Sequence, residues 1–128
     1  LSFEGETGPY VQYTHARICS ILRKSGQHDE EVAAADLSLL STPEDREIAK
    51  IISQLQDIGE SAACDMKPNR ICSYLLRLCQ SFNSYYSKHQ VIQDDKALQT
   101  ARLALLTSIN KVIKEGLALL DIDAPARM

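Results

Sequence analysis

Residues 95–120 read DKALQTARLALLTSINKVIKEGLALL, and this stretch sets the fold class. Its apolar side chains recur at spacings of three and four, the repeat that places residues on one face of an α-helix. Gly116 lowers the helix propensity near the end of the stretch by about 1 kcal/mol relative to alanine. We predict a long helix here, lined by an apolar stripe formed by Leu98, Ala101, Leu105, Ile109, Val112, Ile113 and Leu117.

The same periodicity recurs in three earlier stretches, and the alternation typical of β-strands never persists. Pro9, Pro43 and Pro68 each open one of these stretches, as proline commonly does in the first turn of a helix. Thr42 is a suitable N-cap residue, and Gly26 lies where a glycine typically ends a helix. The predicted long helices cover residues 9–24, 43–65, 68–87 and 95–120, and a short acidic helix is predicted around Asp29–Ala35.

Four long amphipathic helices joined by short connections predict an all-α fold, an antiparallel bundle of four long helices plus one short helix. A chain of 128 residues fits a single domain over 1–128. Residues 121–128 are predicted to form a C-terminal tail that is broken by Pro125. The predicted core comprises Ile18, Leu22, Ile52, Leu55, Leu75, Leu78, Phe82, Leu105, Ile109 and Val112.

The composition excludes several classes of protein. No apolar run approaches the roughly 20 residues that a membrane-spanning helix needs, and no signal peptide is visible at the start. The net charge of −3 is distributed unevenly, since residues 27–66 carry ten acidic and two basic side chains. The remaining residues are mildly basic, so the chain could present one basic face to a polyanion, although a solvated acidic helix is the simpler interpretation.

No arrangement of residues indicates catalysis or metal binding. Cys72 and Cys79 are seven residues apart, roughly 10 Å along a helix, which is too far for a disulfide. We interpret all four cysteines as reduced thiols, which favours a cytoplasmic location. The histidines lack ligand-like spacing, and Glu4 and Glu6 lack the polar partners of a general acid and base. We therefore expect no catalytic residue and no metal site.

The first helix has an unusual polar face. Tyr10, Tyr13, Arg17, Ser20 and Lys24 share a stripe opposite the apolar one, at 100° per residue. A tyrosine ring offers a flat surface on which a base can stack, and an arginine one turn later can bind phosphate or a base edge. The same stripe is compatible with packing against a neighbouring helix or domain, and the residues alone leave both interpretations open.

The segment Glu4–Arg17, EGETGPYVQYTHAR, resembles the one that opens the C-terminal domain of arginyl-tRNA synthetases. The resemblance continues along the whole chain at family spacing and ends with Arg127 and Met128. Thr100–Leu103, TARL, matches only in part the D-A-L-R motif that names this class of domain. The resemblance implies an all-α anticodon-binding domain, in which residues 1–8 are the remnant of a connection to the catalytic domain.

The resemblance also implies a function. The family's whole enzyme is a class I aminoacyl-tRNA synthetase, a ligase that joins arginine to its tRNA and uses ATP and Mg. Its catalytic signatures, H-I-G-H and K-M-S-K, are absent from these 128 residues. The chain is therefore expected to bind the anticodon loop of arginine tRNA without catalysing a reaction and without a cofactor. Its other expected partner is the catalytic domain of the same chain, and neither a membrane nor DNA is expected as a partner.

RNA contacts are assigned by the same resemblance, residue by residue. For the third helix the sequence itself is ambiguous, because Tyr85 lies nearer the apolar stripe than its neighbour. A contact from the terminal residue has no physical signal in the sequence, because chain ends usually fray. The expected anticodon contacts are Tyr13, Arg17, Tyr86 and Met128, with Tyr10, Gln12, Lys24 and Arg127 as secondary contacts.

Two alternatives to this assignment are open. One is a helical protein-interaction module with no RNA role, which would dock through the wide apolar stripe of the third helix or through the acidic second long helix. The other is the related anticodon domain of a different class I synthetase, which the Arg-Met ending disfavours.

Overall fold

The computed structural model describes residues 7–58 and 65–128, and all regular secondary structure in these residues is helical. This confirms the predicted all-α fold. Of the predicted helix over 43–65, residues 59–64 lie outside the described residues, and Asp65 lies in a turn, so the prediction is wrong at its last residue. The elements are α1 (Gly8–Ser25), α2 (Asp29–Ala33), a 3₁₀ turn (Leu37–Leu39), α3 (Pro43–Ile58), α4 (Pro68–Lys88) and α5 (Lys96–Leu119).

Local hydrogen bonds account for where the helices begin and end. The Asp45 N–H donates to Thr42 Oγ1 at 3.0 Å, and the Thr42 N–H donates to the Asp45 carboxylate at 3.1 Å. This reciprocal capping box fixes the start of α3, as the sequence predicts. At the start of α5, the Asp95 carboxylate accepts from the Leu98 N–H at 3.2 Å. Gly26 ends α1 with a φ of 69°, a left-handed conformation that favours glycine.

Helix α5 lies at the centre of the bundle and packs against α1, α2, α3, α4 and the 3₁₀ turn. Most of the predicted core is buried, but Leu22 and Leu55 are only partly buried and pack against its edge. Leu22 lies beside the stripe that α1 buries, which is centred on Ile18 and Ile21, and Leu55 lies near the end of the described part of α3.

Polar contacts show that α1 and α5 run antiparallel. Near the start of α5, the Gln27 side-chain amide donates to Thr100 Oγ1 at 2.7 Å. Further along α5, the Asn110 amide donates to the His15 carbonyl at 3.2 Å and contacts Cys19 Sγ at 3.2 Å. The C-terminal end of α5 therefore lies beside the first half of α1, which brings the chain's last residues to α1.

The described ranges contain no helix that is long and apolar enough to cross a membrane. They also contain no cluster of histidine, cysteine and carboxylate side chains that could hold a metal ion. Cys19, Cys72 and Cys79 are free thiols, whereas Cys64, also predicted to be reduced, lies outside the described residues.

Reducing agent should leave the melting temperature unchanged, because the described thiols are unpaired. Cys79 should also resist alkylation in the native chain, since burial raises the pKa of its thiol to about 12 and little thiolate exists at neutral pH. Calorimetry with and without reductant, and mass spectrometry after alkylation, measure the two effects. A higher melting temperature without reductant would reveal a stabilising disulfide.

Gly116 marks a close approach between α4 and α5. A Cβ atom at this position would lie 2.6 Å from Leu75 Cδ2 and 3.0 Å from Leu75 Cγ. Leu75 is fully buried, so its side chain has little room to move away. The glycine that weakens the helix in the sequence is therefore required by packing.

Gly116→Ala should destabilise the chain by about 1–3 kcal/mol, because overpacking in a closed core outweighs the gain in helix propensity. Ala118→Gly, at an exposed site on the same helix, is the matched control and should cost about 1 kcal/mol from propensity alone. Chemical denaturation measures both, and adding Leu75→Val to Gly116→Ala should recover part of the loss. A stabilising Gly116→Ala would show that the two helices do not meet so closely.

Candidate nucleic-acid interface

The exposed face of α1 presents an aromatic ring to solvent. Val11, Ile18 and Ile21 bury the opposite face of the helix, which leaves Tyr13 60% exposed. The other four tyrosines of the chain are buried or half-buried. A freely exposed tyrosine ring can stack on an unpaired base. The Tyr13 side chain therefore faces outward from this domain.

Arg17, one turn after that tyrosine, is held in place by α4. Its Nη1 donates to Asn83 Oδ1 at 3.2 Å, and its Cζ lies 4.7 Å from the centre of the Tyr86 ring. Tyr86 in turn stacks on Phe82, with ring centres 5.7 Å apart. Asn83 also donates to the Tyr10 hydroxyl at 2.8 Å, which fixes the amide's orientation. The Arg17 guanidinium is therefore held in one orientation before any ligand binds, and its other N–H groups remain available as donors.

The structure resolves the ambiguity between the two neighbouring tyrosines at the end of α4. Tyr85 is fully buried in the core, and this burial raises the pKa of its hydroxyl. Tyr86 is half-buried and forms the platform beneath Arg17. The residue that the resemblance assigns is therefore the one beside the α1 surface.

The end of the chain turns back onto α1. Asp121 adopts the left-handed region with a φ of 59°. Its N–H donates to the Ala118 carbonyl at 3.0 Å, and the Ile122 N–H donates to the Leu117 carbonyl at 2.9 Å. This pair of hydrogen bonds is a Schellman motif, which ends α5 and reverses the chain direction. Ile122 then packs against the core, so the tail begins from a fixed position.

Three side chains of α1 bind the tail through its backbone carbonyl oxygens. A chain terminus normally frays, so this docking contradicts the usual expectation for terminal residues. The hydrogen bonds run from Gln12 Nε2 to the Asp123 carbonyl at 3.0 Å, from His15 Nδ1 to the Pro125 carbonyl at 3.0 Å, and from Arg23 Nη1 to the Ala126 carbonyl at 3.3 Å.

Together α1 and the tail form an open cleft of about 540 Å³. None of the side chains that line this cleft is acidic, and three of them are arginines. Met128, 65% exposed, and Tyr13 are the most exposed large hydrophobic side chains among the described residues. A basic cleft with exposed hydrophobic side chains suits single-stranded nucleic acid. The lining residues are Tyr13, Ala16, Arg17, Ser20, Arg23, Ala126, Arg127 and Met128.

The structure brings most of the expected RNA contacts to this cleft. Of the secondary contacts, Arg127 lines it, whereas Lys24 is exposed at the end of α1 outside its lining. Tyr10 is half-buried against Asn83, and the Gln12 amide is engaged by the tail. The expected contacts Tyr13, Arg17 and Met128 line the cleft, and Tyr86 lies beneath Arg17.

Four polar residues of this surface are absent from the sequence-based set of contacts. Asn83 and His15 depend on partners far along the chain, so no local pattern identifies them. Arg23 is a basic residue in the last turn of α1, where its charge also suits the helix dipole. The sequence already places Ser20 on the polar stripe of α1.

A second concavity, about 850 Å³ in volume, lies between α2, α3 and α5. It is mainly apolar, with Leu37 59% exposed at its edge. Its charged lining residues are Asp29, Asp45 and Arg46, so it has no excess of positive charge with which to attract RNA. This groove is the surface on which a protein-docking function would rest.

The family match and the curated relatives of this chain agree on one family. Residues 11–128 match the DALR anticodon binding domain. The chain is 40% identical to the arginine–tRNA ligase of Pyrococcus abyssi, over 100% of this chain and 21% of that protein. It is 44% identical to the arginine–tRNA ligase of Lactococcus lactis subsp. cremoris, over 100% of this chain and 22% of that protein.

Solved structures agree. The Thermus thermophilus arginyl-tRNA synthetase aligns with a TM-score of 0.79 and 40% sequence identity, over 99% of this chain and 22% of that one. A putative arginyl-tRNA synthetase from Campylobacter jejuni aligns with a TM-score of 0.75 and 25% identity, over 93% of this chain and 26% of that one. The chain thus spans about a fifth of the length of the curated relatives it matches. Its helices, its cleft and this match over residues 11–128 lead to one assignment: the chain belongs to the DALR anticodon-binding domain family.

Proposed function

We propose that this chain recognises the anticodon loop of arginine tRNA on behalf of an arginine–tRNA ligase, and that the cleft between α1 and the tail is the binding surface. Membership of the anticodon-binding family and the arginine–tRNA ligases among its relatives support the class of ligand. The cleft carries the proposal, because it combines the exposed Tyr13 ring, the oriented Arg17 and the terminal Met128 without an acidic side chain.

The chemistry of recognition follows from what the cleft offers. All arginine anticodons have cytosine at the middle position. An unstacked cytosine can lie on the Tyr13 ring, a contact worth about 1–3 kcal/mol per base. Its O2 and N3 need donors, which the free N–H groups of Arg17 can supply. Its N4 amino group needs an acceptor, and the backbone near Met128 can provide one.

The remainder of the ligase would supply the chemical step. ATP and Mg would bind in the catalytic domain, which would also be this chain's protein partner, in a reducing cytoplasmic setting. The chain's own contribution would be binding energy. In the whole enzyme, that energy would help to assemble the active site only when the correct anticodon is bound, as in induced fit.

Tyr13→Ala and Arg17→Ala in the whole ligase should each lower kcat/KM for arginine tRNA by about tenfold to a hundredfold, because each removes about 1–3 kcal/mol of base contact. Both should also reduce discrimination against a tRNA whose middle anticodon cytosine is replaced. Steady-state aminoacylation with the two tRNAs measures this, and arginine and ATP binding should be unchanged.

Matched controls separate recognition from folding. Tyr13→Phe keeps the ring and should retain most of the activity. Arg77→Ala removes an exposed arginine of α4 that pairs with Glu47, outside the cleft, and should have little effect. If Tyr13→Ala and Arg17→Ala leave the discrimination intact, the α1 surface does not read the anticodon. It would then be a packing surface, and the apolar groove would remain for protein docking.

Lys24→Ala should act differently from the cleft variants, because Lys24 lies outside the cleft lining, where phosphate is the expected contact. Its loss should weaken binding of matched and mismatched tRNA equally and reduce the slope of log affinity against log salt by about 1. Titrations at several salt concentrations measure the slope. Lys50→Ala, on the acidic helix α3, is the control and should leave the slope unchanged. A loss confined to matched tRNA would assign Lys24 to base reading instead.

A further inference from the structure

The tail is bound in a way that leaves its side chains free. All three α1 donors described above end on carbonyl oxygens of the tail, so the docking uses its backbone. Arg127 and Met128, which follow the last of these carbonyls, keep exposed side chains that line the cleft. The tail is therefore held by its backbone, and its final side chains face the cleft.

His15 is the least exposed of the three donors, with only 6% of its surface accessible. A carbonyl oxygen accepts hydrogen bonds and cannot donate them, so Nδ1 of His15 carries the proton that bonds to the Pro125 carbonyl. Asn110 of α5 holds the backbone carbonyl of the same residue at 3.2 Å. A continuous path of contacts therefore connects the central helix α5, through His15, to the tail.

We propose that His15 and Gln12 are positioning residues for the anticodon cleft: they hold the tail so that Arg127 and Met128 face Tyr13 and Arg17. His15 is too buried to reach RNA itself. A tail ordered before binding loses less conformational freedom when the RNA arrives, which improves both affinity and selectivity. This inference rests on the proposed function. It adds to that function the residues that hold the tail side of the cleft in place.

The first experiment tests the positioning without RNA. In the 128-residue chain, ¹⁵N heteronuclear NOE values should show residues 124–128 ordered in the wild type and mobile in His15→Leu and in Gln12→Met. His15→Asn keeps an N–H donor close to the position of Nδ1 and should restore much of the order. Gln12→Met is nearly isosteric at a half-buried position and replaces the amide that donates to the tail with a thioether, so it remains informative if His15→Leu fails to fold. Gln54→Met, the same change on the exposed face of α3, is the matched control.

The second experiment connects the tail to recognition. Fluorescence anisotropy would compare an anticodon stem–loop of arginine tRNA with one whose middle cytosine is replaced. Deleting residues 126–128 should reduce the ratio of the two dissociation constants by about tenfold to a hundredfold, as expected for the loss of one base contact. Gln12→Met and His15→Leu should each produce a similar loss. In the shortened chain they should add nothing further, because residues that act through one another are not additive.

The outcomes separate this inference from the proposed function. A tail that stays ordered in both variants overturns the inference, and so do losses that add to that of the deletion. If the deletion leaves the ratio unchanged while Tyr13→Ala lowers it, the cleft reads RNA without the tail and only the inference fails. If the wild-type chain binds both stem–loops equally, the proposed function fails and the inference fails with it.

Discussion

The packing of α1 along α5 determines where every functional group of this domain lies. Helix α5 buries its apolar stripe against all the other helices, and Asn110 fixes its register against α1. This antiparallel arrangement brings the end of α5 beside the beginning of α1, so that a Schellman motif at Asp121 directs the last residues onto the same helix. Without this register the tail would have no surface to dock on, and the cleft would lose one of its walls.

Charge is separated between different elements of the bundle. Most of the acidic residues that the structure describes within 27–66 lie on α2 and α3, where Asp29, Glu44 and Asp45 occupy first turns that favour negative charge. The side chains that line the cleft include three arginines and no aspartate or glutamate. A chain with a net charge of −3 can therefore still attract a polyanion to one surface, because the local field and not the total charge guides association.

The sequence predicts the helices well because their start and stop signals are local. Pro9, Thr42, Pro68 and Gly26 mark boundaries through capping and backbone conformation. The bounds of α1, α4 and α5 lie within one residue of the predicted ones, whereas α2 ends two residues early, at Ala33. Burial is less predictable at the edges of the core, where Leu22 lies beside the buried stripe of α1 and yet is only partly buried.

The candidate site could be predicted only in part. Tyr13 and Arg17 stand out on the polar face of α1, because helical periodicity alone brings them together. The tail could not be placed from the sequence, since the hydrogen bond between His15 and Pro125 joins residues 110 positions apart. The orientation of Arg17 likewise depends on Asn83, at a separation of 66 positions. Such pairs form only once the whole bundle is assembled, so no local sequence pattern predicts them.

Photo-crosslinking provides the most direct test of the central claim, that the cleft between α1 and the tail reads the anticodon. An anticodon stem–loop of arginine tRNA with 5-iodocytidine at the middle position would be irradiated in complex with the chain, and mass spectrometry would locate the attached residue. We expect attachment to Tyr13 or to the tail residues beside it. Attachment confined to α2, α3 or the groove between them would contradict the claim.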